Sequence, residues 1–68
     1  MNTNTQSITE DYVSAIRIFL DIYGVEAASK SNHLMLENGL ITHAMFMAAA
    51  RIIAARFLAT IPEGGHRE

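Results

Sequence analysis

Apolar residues recur at helical spacing in two long runs separated by a weaker middle. At 100° per residue, Ile8, Tyr12, Ala15, Ile16, Phe19, Leu20, Ile22 and Tyr23 cover most of one cylinder, and Glu10, Ser14, Arg17 and Asp21 form a narrow polar stripe. The pattern predicts a helix over 8–23. Ser7 and Glu10 form an S-x-x-E capping box at its start, and Gly24 stands at its end as a C-terminal cap, with Val25 placed to fold back apolarly.

From Glu26 to Asn32 there is no large apolar stripe, which predicts a short helix or a turn-rich connector. Ser31 or Asn32 can cap a following helix. Asn38-Gly39 is a stop signal, yet Leu36 and Leu40 keep helical phase with His43, Met47, Ala50 and Ala54 across it. One helix running through Gly39, at a cost of about 1 kcal/mol relative to alanine, and two helices broken there are both open on this pattern.

The second long run resolves into two apolar stripes. The first carries Phe46, Ala50, Ile53 and Phe57, flanked by His43, Met47, Leu58 and Ile61; the second carries Ile41, Met45, Ala48, Ile52, Ala55 and Ala59. Both follow alternating three- and four-residue steps, the spacing of helix-on-helix seams. The bulky first stripe suits the N-terminal helix. The small second stripe permits close approach of another helix and is read as a self-association face. A three-helix monomer wrapping both stripes is the alternative.

These elements predict an all-α fold, an antiparallel helical hairpin of two long helices with a short connecting helix or turn. It is expected to dimerise into a four-helix-type bundle. The expected organisation is a flexible lead over 1–6, one helical domain over 7–62 and a flexible tail over 63–68, where Pro62 and Gly64-Gly65 end the helix.

Composition strengthens the case for association. The chain has 68 residues, 50% of them hydrophobic, and a formal net charge of -2. A core this small rarely supplies more than about 3–5 kcal/mol unless disulfides, metal or association add to it, and cysteine is absent. The polar, acidic N-terminus lacks the basic and apolar regions of a signal peptide, so the expected location is cytoplasmic. Leu40 to Ile61 is long enough to span a bilayer, but Arg51 and Arg56 would each cost roughly 2.5–3.5 kcal/mol near its centre. A membrane partner is therefore not expected.

Candidate chemistry is sparse. His33 and Glu37 stand at i, i+4, a spacing that can present two metal ligands, without a third nearby. The serines lack a base and acid in a recognisable pattern, and there is no glycine-rich phosphate loop. No cofactor, metal or enzymatic activity is expected, with a small oligomeric enzyme bearing a composite interface site kept as an alternative. His43, on the first stripe, is expected to be buried and hydrogen-bonded, with a pH-sensitive contact as the other reading.

Leu40 to Pro62 contains no acid, so Arg51 and Arg56 are candidates for ion pairs with Glu10, Asp11 or Asp21, or for an anionic partner. The stretch 23–45 resembles a helix-turn-helix phrase in outline. With Ala28 as the small residue at the crossing, Ala27 and Ile41 fit, but Ser31, His33 and Asn38 fall where that motif packs apolar side chains. The candidate recognition segment also has no lysine or arginine to neutralise phosphates. The expected function is a small protein-interaction or regulatory protein acting as a homo-oligomer with a protein partner, the alternative being a DNA-binding regulator.

Overall fold

The computed structural model describes residues 3–61, with side chains from Ser7 onward. The described residues are all-α, with three helices: α1 (Thr3–Tyr23), α2 (Val25–Glu37) and α3 (His43–Thr60). The tail expected over 63–68 lies outside the described residues. α1 begins at Thr3, so Ser7 and Glu10 lie inside the helix and do not form its cap.

A single residue joins α1 to α2. The Gly24 N–H donates to the Leu20 carbonyl at 2.9 Å, closing α1, and its own carbonyl accepts from the Ala28 N–H at 3.1 Å, opening α2. Both roles at one position need φ +95°, a backbone region that a side chain disfavours. Val25 packs against the core immediately after the turn.

The middle segment is a full 13-residue helix, and it stops before Gly39. The Leu40 N–H donates to the Met35 carbonyl at 2.9 Å and the Gly39 N–H to the Leu36 carbonyl at 3.0 Å, with Gly39 at φ +72°. This is the Schellman arrangement, with glycine at the left-handed position. The helix is therefore broken at Gly39, and the phase kept by Leu36 and Leu40 does not carry through. Thr42 starts α3, its hydroxyl accepting from the Met45 N–H at 3.1 Å.

The core is small. Ile16 and Leu20 of α1, Ala28 of α2, and Ala49 and Ile53 of α3 are buried together, with Tyr12, Phe19, Val25 and Ile52 packed around them. Ala28 and Ala49 are both 0% exposed, so methyl groups fill the places where helices approach most closely. Asn32 joins all three helices. Its Oδ1 accepts from the Tyr12 hydroxyl at 2.6 Å and its Nδ2 donates to the Phe46 carbonyl at 3.2 Å.

Contacts between α1 and α3 advance together along both helices. Tyr12 lies near Phe46 through Asn32, and further on Asp21 pairs with Arg56. On the other side of α3, Val25 and Phe57 line one end of a groove whose other end holds His33 and Ala50. Thus α2 runs back between two helices that point the same way.

Candidate interaction surfaces

The inward line of α3 falls between the two stripes legible in the sequence. Ala49, which belongs to neither, is its buried centre, and Ile53 lies beside it. α1 packs on one side of this line and α2 on the other. Each stripe is consequently split, its inner half covered and its outer half left to solvent. Of the bulky first stripe, Met47, Phe57, Leu58 and Ile61 are exposed. Of the small second stripe, Ile41 is buried, Met45, Ala48 and Ile52 are half-buried, and Ala55 and Ala59 are exposed.

The two arginines of α3 have different surroundings. Arg56 Nη1 lies 2.8 Å from Asp21 Oδ1 across the α1–α3 contact, with both side chains partly exposed. Arg51 points outward and, among the described residues, joins no ion pair. Arg17 of α1 lies with Ile52, Ala55, Arg56 and Ala59 along the same α1–α3 groove.

His43 is exposed, not buried, because it is the first residue of α3 and α2 has already ended. Its ring lies 6.2 Å from that of Phe46. His33 is occupied locally: its Nδ1–H donates to the Ser29 carbonyl at 2.9 Å, and its ring meets Phe46 edge-on at 5.0 Å. Among the described residues no three His, Cys, Asp or Glu side chains gather where they could hold a metal ion.

A groove of about 240 Å³ runs between α2 and α3, floored by Ile53 and Asn32 and walled by Val25, Ala54 and Phe57. Both polar ends of the Asn32 amide are bonded within the fold, and Ser29 and His33 also line the groove. It offers shape and apolar area, with no side chain set up as acid, base or nucleophile.

Exposed apolar area is the larger feature. Ile8, Ile18, Ile22 and Tyr23 of α1, Leu34 of α2, Leu40, Met47 in the first half of α3, and Phe57, Leu58 and Ile61 at its C-terminal end are all exposed. By length and composition α3 is also apolar enough to cross a membrane, with mean hydropathy 1.2 over 18 residues and 17% of them buried. Arg51 lies at its middle and Arg56 in its second half. Sequence reasoning found the abundance of apolar surface but missed Asn32 as the core tie. The signal for it was the spacing Ala28-Asn32, a small and a polar residue one helical turn apart facing a tyrosine that needs a partner.

Compared with family models, curated proteins and solved structures, the chain matches none.

Proposed function

We propose that the chain is a small non-enzymatic protein-interaction or regulatory protein that acts as a helical homo-oligomer, with the dimer as its unit. In this reading the antiparallel α1–α2 pair of each copy, and not a hairpin of the two long helices, contributes to a four-helix-type bundle, and the surface left outside engages a protein partner. One observation carries the reading. Among the described residues ten large apolar side chains are exposed, against four that are buried, Ile16, Leu20, Ile41 and Ile53.

Such an imbalance is costly for an isolated monomer and favourable for an assembly. Fully burying an Ile, Leu or Phe contributes about 1.5–3 kcal/mol, and these side chains, already partly covered, would gain a fraction of that. Rigid association costs roughly 4–15 kcal/mol. Several such residues from each of two subunits are on the scale that offsets it, whereas one or two are not. Contiguous exposed apolar surface on a small chain is itself a mark of an interaction site.

Sedimentation equilibrium of the full chain over a wide concentration range tests the reading. Self-association accompanied by a thermal midpoint that rises with protein concentration is the expected result. An ideal monomer throughout, with a midpoint independent of concentration, overturns it.

A further inference from the structure

Arginines gather along one groove. It lies between α1 and α3, has a volume of about 380 Å³, and is lined by Arg17, Ile52, Ala55, Arg56 and Ala59. Its floor is shallow and apolar: Ile52 packs on the core, and exposed Ala55 and Ala59, the uncovered end of the small stripe of α3, present only methyl groups. Arg17 forms the α1 rim. Arg51 stands one turn before Ala55 and about 40° further round α3 from α1, which makes it the outer rim. Against these three guanidinium groups stands one carboxylate, Asp21, which pairs with Arg56. Arg17 and Arg51 join no ion pair among the described residues. Glu10 shares the polar stripe of α1 with Arg17 but precedes it by seven residues, about 10 Å of helix, and Asp11 lies off that stripe. Glu26 and Glu37 belong to α2, on the other side of the inward line of α3.

We infer that this groove takes an acidic amphipathic helix of a protein partner, its apolar edge on Ala55 and Ala59 and its carboxylates on both flanks against Arg17 and Arg51. The inference rests on the protein-partner half of the reading above and names the chemistry of that partner. Two parallel helices with a methyl-lined trough between them accept a further helix, because small residues let it approach to the short end of the usual 8–10 Å interaxial range. Charge selects which helix. Unpaired guanidinium groups on both rims favour carboxylates at the flanking positions and oppose lysine there. A flat lipid surface would meet the two rims and leave the alanine floor uncovered, whereas a helix reaches all three.

Fluorescence anisotropy of the full chain with a labelled synthetic peptide tests the site. The peptide has the length of α3, 18 residues, with leucine and alanine on one face and glutamate on both flanks; its twin carries lysine in place of glutamate. The chain's formal net charge of -2 favours the lysine twin, so binding of the glutamate peptide tighter by about tenfold or more reports the groove and not overall charge. Arg17→Glu/Arg51→Glu reverses that preference, while Lys30→Glu, a charge reversal on α2, leaves it standing. Ala55→Gln raises the floor without adding charge and weakens the glutamate peptide by about tenfold; Ala55 is exposed, so the helical circular dichroism is unchanged. A lysine twin that binds as tightly, or a preference unmoved by the arginine pair, overturns the inference. Sedimentation equilibrium of the parent alone separates it from self-association. A monomer that prefers the glutamate peptide keeps the groove and overturns the oligomer, and an oligomer that binds neither peptide overturns the groove alone. An oligomer dissociated by Arg17→Glu/Arg51→Glu overturns the partner helix as occupant, since a second copy then fills the groove.

Discussion

The Tyr12 hydroxyl donates to Asn32 Oδ1 at 2.6 Å, across 20 residues of chain. Asn32 is 1% exposed, and its amide nitrogen reaches the Phe46 carbonyl, so one buried side chain spans three helices. Removing the hydroxyl leaves a buried carbonyl oxygen unsatisfied, which costs about 1–3 kcal/mol. Tyr12→Phe is expected to lower stability by that amount and, for a domain of this size, to lower the thermal midpoint by roughly 4–8 °C per kcal/mol. Urea unfolding followed by circular dichroism checks it. A variant as stable as the parent would remove Asn32 from its place as the tie.

The same hydroxyl sets an alkaline limit. Burial holds the Tyr12 phenol above its ordinary value of 10.0, because the phenolate is disfavoured there. A group whose folded pKa is raised gives stability that is complete below the unfolded value and is lost as pH rises through the folded one. Stability is therefore expected to hold from neutral pH to about pH 9.5 and to fall above it. Urea midpoints at about pH 8 and pH 11 measure the loss, and Tyr12→Phe, lower at pH 8, should show a shallower fall.

Two glycines hold the helices apart. Nothing lies within 4 Å of a Cβ built on Gly24 or Gly39, so the cost of alanine at either is conformational and not a clash. At φ +95°, Gly24→Ala is expected to destabilise by about 1–3 kcal/mol. Gly39, at φ +72° in the left-handed region, should tolerate asparagine better than alanine, since asparagine visits that region more readily. Denaturant midpoints of the three variants give the ranking, and equal midpoints for Gly39→Asn and Gly39→Ala would count against the left-handed cap.

Gly24 was the most legible of these punctuating glycines, whereas the break at Gly39 stayed open because Leu36 and Leu40 keep helical phase across it. Gly24 and Asn38-Gly39 mark element ends through backbone chemistry, which is local and visible in the sequence. The inward direction of α3 was not legible. Alanines occur all around that helix, so apolar periodicity has little contrast, and the large residues drew two stripes on either side of the true line. Tertiary packing selected Ala49 because only a methyl fits where the helices come together. Asn32 was hidden for a related reason. Asparagine in a weakly patterned segment reads as a cap or turn former, and its burial depends on Tyr12 and Phe46, which are distant in sequence.

The Asp21–Arg56 pair illustrates how little an ion pair need contribute once found. Its side chains are 59% and 37% exposed, so water and salt screen it. Asp21→Asn is expected to cost less than about 1 kcal/mol, and the difference from the parent should shrink in high salt. Denaturation in low and high salt measures this. A loss well above that scale would mean that the pair orients α1 on α3 and is not simply a screened surface contact.

Ala49 provides the sharpest test of where α3 is packed. It is 0% exposed at the centre of the small core, whereas Ala54, also on α3, is exposed. Ala49→Leu has no room to enter without moving helices, and overpacking of this kind costs about 1–3 kcal/mol. Ala54→Leu adds a good helix former to open surface and is expected to change stability by no more than about 0.5 kcal/mol. If the helix instead faced inward along its Ala50 and Ile53 side, Ala54 would lie nearer the packed surface and the two substitutions would approach one another in cost. Matched urea unfolding of both variants decides between these orientations, and it does so independently of association when carried out at the lowest concentration that circular dichroism allows.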